Sequence, residues 1–180
     1  MTAIIGLDLS LTSSGVAVKP ALADNRKEKV FAIPTTPKES TGDRWKKIAL
    51  GIKREVRVGD SCFIEDYAYG MPSQKSNLTT LAEVGGIVKF MLLNMGVPLF
   101  LVSPGTLKKW ATGKGNAKKE DMKLAVYKKF GREFTTSDEA DAFLLADFGS
   151  HVLHKDALLR RKLLAYELAA LTDYRKKHNL

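Results

Sequence analysis

Residues Ala3–Leu9 read AIIGLDL, a nearly all-apolar run rich in β-branched residues that ends before a cluster of Ser, Thr and Gly. This pattern predicts a strand that is buried on both faces of a sheet. Gly15–Lys19 (GVAVK) predicts a second strand that forms a hairpin with the first, and Val30–Ile33 predicts a third. The chain is therefore expected to begin with the antiparallel part of a sheet.

The rest of the sequence alternates helical and strand patterns. Helices are predicted over Thr41–Val58, Leu78–Met95, Lys118–Phe130, Ser137–Leu153 and Asp156–Lys176, and strands over Ser61–Glu65 and Val97–Val102. A further helix is expected to follow Ser103-Pro104, since Ser is favoured as N-cap and Pro at the first helical position. Three strands followed by alternating helices and strands indicate an α/β fold, with a mixed five-stranded sheet flanked by helices.

The composition is that of a globular protein with one core. The chain has 180 residues, of which 44% are hydrophobic and 27% charged, so we expect a single domain over residues 1–180 that includes the helix over 156–176. Lys and Arg number 29 against 20 Asp and Glu, which gives a net charge of +9. Such an excess favours a polyanionic partner, most commonly nucleic acid.

Cysteine usage and hydropathy exclude two classes of protein. The single cysteine, Cys62, lies in an apolar run, so an intramolecular disulfide is excluded and a reducing compartment, the cytoplasm, is expected. No signal peptide is visible at the N-terminus, and every apolar stretch is shorter than the roughly 18 residues of a membrane span. A secreted disulfide scaffold and an integral membrane protein are therefore not expected.

Four carboxylates carry the chemistry that the sequence predicts. Asp8 and Glu65 each stand at the end of a buried strand, and Asp138 and Asp141 lie three apart on one face of a predicted helix. That helix face continues through Leu145, Phe148 and Val152. The acids therefore border a stripe that must point into the core, and all four could converge on one pocket. Oxygen-only ligands of this kind suit Mg²⁺ or Mn²⁺.

Other interpretations of the single residues remain open. Asp8 could cap a turn after its strand, and Asp138 could serve only as a favourable charge in the first turn of its helix. Glu65 could pair with a lysine. Asp141 is harder to explain by capping, because it is flanked by alanines inside an apolar helix.

Four segments between Ile4 and Asp147 resemble one family, the RuvC-type Holliday junction resolvases of the ribonuclease H-like superfamily, with the phage branch more similar than the bacterial one. The segments are IIGLDLSLTSSGVAV, FIEDYAYG, SPGTLKKWATGKGNAKKEDM and SDEADAFLLAD. The resemblance implies a ribonuclease H-like fold and a bacteriophage protein acting in the bacterial host cytoplasm. Two departures are that Leu9-Ser10 stand where bacterial resolvases typically have Pro-Gly, and that the last helix extends beyond the matching part.

The resemblance also implies a catalytic site. In the family, four acids in this order on the same elements bind two divalent metal ions, and the matching positions are Asp8, Glu65, Asp138 and Asp141. Two Mg²⁺ or Mn²⁺ ions about 4 Å apart would assist hydrolysis of a DNA phosphodiester. Asp8 would bridge the ions, no side-chain nucleophile would be needed, and the products would carry a 5′-phosphate and a 3′-hydroxyl.

DNA contacts are expected from two segments. By resemblance Lys108 and Lys119 approach the scissile phosphate, and Lys114 and Lys118 lie close to them in sequence. The loop after Glu65 offers Tyr67, Tyr69 and Lys75, and an aromatic ring there could stack on an unpaired base. The alternatives are a solvated lysine face and, for the tyrosines, core packing. His151 and His154 are interpreted as surface or end-of-helix residues.

These features predict an endonuclease that resolves four-way DNA junctions and acts on branched DNA. Paired incision of a junction requires two sites related by a two-fold axis, so a homodimer is expected, and the resemblance places the helix with Gly85-Gly86 at its interface. The alternatives are a nuclease for RNA/DNA hybrids or flaps and a nucleic-acid binding module without catalysis. A sugar-kinase-type phosphotransferase is excluded because 180 residues are too few for its duplicated domains.

Overall fold

The computed structural model describes residues 2–66, 75–154 and 161–180, and the described chain contains one five-stranded mixed sheet. The strands are β1 (Ala3–Asp8), β2 (Ser13–Pro20), β3 (Lys29–Pro34), β4 (Ser61–Glu65) and β5 (Leu99–Val102). Their order in the sheet is β3-β2-β1-β4-β5. β1, β2 and β3 pair antiparallel, whereas β4 pairs parallel with both β1 and β5. The predicted hairpin and the mixed five-stranded sheet are confirmed.

Six helices flank this sheet in the described part of the chain. They are α1 (Thr41–Glu55), α2 (Lys75–Asn94), α3 (Pro104–Thr112), α4 (Lys119–Phe130), α5 (Ser137–Leu153) and α6 (Ala165–His178). Ser103 caps α3 as predicted, because its side chain accepts a hydrogen bond from the Thr106 amide at 3.1 Å. None of the helices in the described ranges is long and apolar enough to cross a membrane.

The sheet separates two hydrophobic clusters. On one face, α1 and α2 contribute Ile48, Ile52 and Val88 to a cluster with alternate residues of β1. On the other face, α3, α4, α5 and α6 build a cluster around Trp110 and Phe148. β1 is central and contributes to both clusters, which explains why its sequence is apolar at nearly every position instead of alternating.

The helix α5 lies unusually close to the hairpin because two strand glycines leave room for it. A Cβ atom at Gly6 would lie 2.1 Å from the carbonyl oxygen of Ala142, and one at Gly15 would lie 2.0 Å from that of Asp138. Both distances are far below van der Waals contact. Only glycine therefore permits this packing, which sets the position of α5 on the sheet.

The C-terminal helix begins later than its sequence pattern suggested. Residues 161–164, within the predicted helix 156–176, are not helical, and α6 starts at Ala165. The Glu167 carboxylate accepts a hydrogen bond from the Leu164 amide at 2.8 Å and two from the Arg161 guanidinium at 2.8 and 2.9 Å. The bond from the Leu164 amide caps the helix that begins at Ala165, and the bonds from Arg161 hold the preceding residues against it.

A buried ionic network connects α6 to the sheet. Asp147 accepts hydrogen bonds from Lys19 Nζ at 2.6 Å, Trp110 Nε1 at 3.2 Å and Arg161 at 3.3 Å. Burial alone would raise the pKa of Asp147, but the positive charges of Lys19 and Arg161 outweigh it and hold the pKa below its ordinary value. The network therefore contains an ionised carboxylate at neutral pH.

His151 lies in the last turn of α5, as the end-of-helix interpretation has it, but it belongs to the same buried region and is not a surface residue. Its side chain is 2% exposed and its Nδ1 lies 2.8 Å from the Asp147 carbonyl oxygen, beside the Trp110 ring. The imidazole occupies a buried position in the last turn of α5, while His154 is the C-cap residue of that helix.

Candidate active site

Asp8 and Glu65 lie side by side because their strands are parallel neighbours. In the register of β1 and β4, Leu7 is opposite Ile64, so the next residues along the two strands are Asp8 and Glu65. The carboxyl ends of adjacent parallel strands meet at one edge of the sheet, the usual place for a site in an α/β protein. Both strand-end carboxylates therefore face one another at this edge.

The helix α5 brings the other two acids to the same edge. Asp138 packs with its backbone against Gly15, which is paired with Asp8 in the β1–β2 ladder. Asp141 follows one turn later and is only 9% exposed. The four carboxylates that the sequence singled out are therefore neighbours in space.

The N-terminal cap of α5 tests the alternative interpretation that Asp138 serves only the start of its helix. The Thr136 side chain accepts a hydrogen bond from the Glu139 amide at 3.2 Å, and the Glu139 carboxylate accepts one from the Thr136 amide at 3.1 Å. This capping box satisfies the helix start without Asp138. The Asp138 carboxylate is therefore not needed as a cap.

The electrostatics of the strand-end pair are those of crowded carboxylates. Burial, and next the negative charges of Glu65, Asp141 and Asp138, raise the pKa of Asp8 well above its ordinary value. Burial and the charge of Asp141 raise the pKa of Glu65 to about 7, while a hydrogen bond from Asp8 opposes the rise. Raised pKa values and a hydrogen bond between Asp8 and Glu65 are expected when two buried carboxyl groups share a site.

Asp141 is also a buried carboxyl group with a raised pKa. Burial raises its pKa to about 6, Asp138 adds to the rise, and Lys119 and Lys108 oppose it. Its Oδ1 atom is buried without a hydrogen-bond partner among the described residues. A buried carboxylate oxygen in this state is costly unless a cation or a proton donor satisfies it.

The residues present fit a divalent cation by their chemistry. The donors are carboxylate oxygens, which are the ligands preferred by Mg²⁺ and Mn²⁺, and the orphaned Oδ1 of Asp141 lacks a partner. As the side chains stand, no three acidic, His or Cys groups within the described ranges are close enough together to hold an ion. Cation binding therefore requires the carboxylate side chains to rotate.

The candidate lysines divide into two groups. The positive charges of Lys108 on α3 and Lys119 at the start of α4 both lower the pKa values of Glu65 and Asp141. Lys114 instead lines a separate cavity between α3, α4 and the start of α6, and Lys118 is the exposed N-cap residue of α4. Only the first two are therefore placed by the structure at the carboxylates.

Three further candidates have side chains outside the part of the structure that is described. Tyr67 and Tyr69 lie outside the described residues, and so does the side chain of Lys75 at the start of α2. Their expected contacts with DNA stay predictions.

One residue beside the carboxylates was missed by the sequence reasoning. Lys89 of α2 lines a small cavity of about 60 Å³ together with Asp8, Glu65 and Asp66. Burial lowers the pKa of Lys89, and the charge of Asp66 opposes this change. The signal was present, because Lys89 is the only charged residue in the apolar stretch GGIVKFMLLN.

The chain is similar to known proteins in sequence and in fold, although no protein-family model matches it. It is 31% identical over 128 residues to the crossover junction endodeoxyribonuclease RuvC of Ehrlichia chaffeensis, a match that covers 69% of this chain and 80% of the relative. The structure of Thermus thermophilus RuvC matches with a TM-score of 0.64 at 22% identity, covering 80% of this chain and 90% of that one.

A second structure, Thermus thermophilus RuvC in complex with a Holliday junction substrate, matches with a TM-score of 0.60 at 23% identity, covering 81% of this chain and 91% of that one. These structural likenesses confirm the predicted ribonuclease H-like fold, while the phage branch stays a prediction. The sequence match to the Ehrlichia relative, at 31% identity over 69% of this chain and 80% of that protein, shows that this chain belongs to the family of RuvC crossover junction endodeoxyribonucleases.

Proposed function

We propose that the protein is a structure-selective endonuclease that resolves four-way DNA junctions. The observation that carries this proposal is the convergence of Asp8, Glu65, Asp138 and Asp141 where β1, β4 and α5 meet. Membership of the RuvC family and the net charge of +9 support the same activity on DNA. The substrate named for the Thermus thermophilus complex, a Holliday junction, supports the choice of branched DNA.

The carboxylates would act as a cage for two divalent cations, Mg²⁺ or Mn²⁺. When bound, such ions lower the pKa of an attacking water and stabilise the leaving 3′ oxygen. The charges of Glu65, Asp141 and Asp138 all act on the Asp8 carboxyl, which suits Asp8 to a shared ligand.

Lys108 and Lys119 would hold the phosphate at the cage. Both lie close enough to oppose the charge of the carboxylates, and a phosphate beside four acids needs such compensation. If Lys119 contacts a phosphate, Lys119→Ala should reduce the log–log salt slope of DNA binding by about one unit, whereas exposed Lys53→Ala on α1 should not. An unchanged slope for Lys119→Ala would remove it from the DNA contacts.

A second copy of the chain would cover the outer face of α2. On this face Phe90 and Leu93 are 68% and 61% exposed, and a Cβ atom at Gly86 would meet nothing within 4 Å. An apolar helix face that admits close approach is suited to packing against its symmetry mate. Such a homodimer would place two carboxylate sites across a two-fold axis, as two coordinated nicks require.

Substrate choice tests the proposed function. The purified protein is incubated, with Mg²⁺ and with chelator, on a four-way junction, a flap, a linear duplex and an RNA/DNA hybrid. Mg²⁺-dependent paired nicks in the junction, in preference to the other substrates, are expected. Preferential cleavage of the hybrid or the flap would favour the alternative nuclease, and junction binding without any cleavage would favour a binding module.

A further inference from the structure

A cleft of about 500 Å³ adjoins the candidate active site on the side of the loop that follows β1. Its polar lining consists of Ser10, Thr12, Arg44, Thr80 and Lys119. These residues come from four elements: the loop, α1, α2 and the start of α4. The sequence reasoning assigned a role only to Lys119.

The cleft adjoins the small cavity at the carboxylate site. Leu9, the residue directly after Asp8, lines both the cleft and the small cavity beside Asp8 and Glu65, and so does Leu81 of α2. Lys119 lines the cleft, and its positive charge also lowers the pKa of Asp141. A polymer that occupies the cleft would therefore lie next to the carboxylates.

The loop wall of the cleft is held in a fixed conformation. The Ser14 hydroxyl donates to the Ser10 carbonyl oxygen at 2.7 Å and accepts from the Ser10 amide at 3.1 Å. The hydroxyls of Ser10 and Thr12 are 3.0 Å apart, and Thr12 is exposed. Two hydroxyl groups are therefore presented to the cleft on a rigid backbone, which lowers the entropy cost of binding a ligand there.

Arg44 supplies a positive charge that has no carboxylate partner in the described part of the chain. Its Nε donates to Thr35 Oγ1 at 2.9 Å and one terminal nitrogen donates to the Leu11 carbonyl oxygen at 3.1 Å. Within residues 2–66, 75–154 and 161–180, Arg44 forms no salt bridge, in contrast to Arg26, which pairs with Asp24 and Asp60. The half-buried guanidinium is thus oriented by neutral groups and keeps its full charge for a ligand.

We propose that this cleft binds the sugar–phosphate backbone of the cut DNA strand immediately beside the scissile phosphate. Arg44 contacts a backbone phosphate through its planar guanidinium, and the hydroxyls of Ser10 and Thr12 donate to phosphate oxygens. Such contacts position the strand without reading its sequence. The proposal rests on the proposed nuclease function and assigns a strand-binding role to residues outside the carboxylate cage.

Binding of protein variants to chemically modified junctions tests this proposal. Junctions carrying one neutral methylphosphonate at successive positions around the cut are titrated, in chelator, with wild-type protein and with Arg44→Gln. The wild type should lose about tenfold in affinity at one flanking position, as expected for a charge-assisted hydrogen bond. Arg44→Gln should bind the normal and the neutral junction equally at that position. Lys46→Gln, an equal charge change at an exposed site of α1, should retain the wild-type pattern.

A second variant guards against a folding defect in Arg44→Gln. Thr12→Glu places a negative charge at an exposed position of the cleft and should weaken junction binding, whereas Thr41→Glu at exposed Thr41 should not. Wild-type methylphosphonate profiles in Arg44→Gln, or wild-type affinity in Thr12→Glu, would overturn the proposal. Because these titrations measure binding without incision, their failure is distinct from a failure of the wild type to cleave junctions with Mg²⁺.

Discussion

Replacing Gly15 with alanine is expected to displace the carboxylates of α5 from those of the sheet. The added Cβ atom would lie 2.0 Å from the Asp138 carbonyl oxygen, where ordinary contact begins at about 3.4 Å. Because the opposing atom is backbone, side-chain rotation cannot relieve the clash. The start of α5 must move away from β2 by roughly 1.4 Å, the difference between the two distances.

The size of this displacement determines the expected loss of stability and the expected loss of cleavage rate. Overpacking of a core contact costs typically about 1 to 3 kcal/mol, and the upper end is expected here because backbone meets backbone. For a chain of this size, 3 kcal/mol corresponds to a decrease in Tm of roughly 6 to 12 °C. A misplacement of about 1 Å in a catalytic constellation can cost roughly 100-fold in rate.

Thermal unfolding and junction cleavage with Mg²⁺, the latter at a temperature where the variant is folded, measure both effects. Gly42→Ala is the matched control, because a Cβ atom at this α1 position meets nothing within 4 Å. That substitution should leave cleavage unchanged and stabilise the helix by about 0.5 to 1 kcal/mol. A Gly15→Ala protein with the Tm and cleavage rate of the wild type would refute the account of how α5 is positioned.

Three further predictions follow from the buried charges and from the exposed face of α2. Asp147→Asn should lower the free energy of unfolding by about 3 to 5 kcal/mol in urea titrations, because it leaves the buried Lys19 ammonium without its partner; a loss below 1 kcal/mol would contradict this. Despite burial, the ion pairs of Asp147 and Glu167 hold both pKa values below their ordinary range. Their stabilisation is therefore complete above the unfolded values of about 4, and urea midpoints should decrease as the pH falls below them; a flat profile from pH 5 to 2.5 would exclude it. Gly86→Glu should give a monomer without coordinated double nicking in sedimentation and cleavage assays, whereas a wild-type monomer of 19.9 kDa, alone and on a junction, would exclude the dimer.

The strands and the order of the acids could be predicted from the sequence because they depend on local patterns. The apolar run through Leu7 predicted a strand buried on both faces, and the i, i+3 spacing of Asp138 and Asp141 on an apolar helix predicted one inward face. These signals concern residues that are near in the chain. Apart from the C-terminal helix, which begins at Ala165, the structure then placed the predicted elements with bounds that differ by a few residues.

The contacts that join distant segments could not be predicted in this way. The local sequence does not reveal that α5 packs against Gly15. Glycine is needed there because the carbonyl oxygen of residue 138, which is distant in sequence, approaches its backbone. The same holds for Asp147, whose partners Lys19 and Arg161 are far away in the sequence. The late start of α6 at Ala165 depends on a capping carboxylate, Glu167, that the apolar periodicity does not reveal.

Cleavage of a four-way junction by Asp141→Asn tests the central claim most directly. This substitution removes a charge from the cage but retains the shape and the lysines, so Mg²⁺-dependent cleavage should be lost while junction binding in chelator stays at the wild-type level. The variant should also be more stable than the wild type at pH 8, because a carboxyl group whose folded pKa is about 6 destabilises the fold above that pH. An Asp141→Asn protein that cleaves junctions at the wild-type rate would contradict the assignment of the carboxylates as the catalytic site.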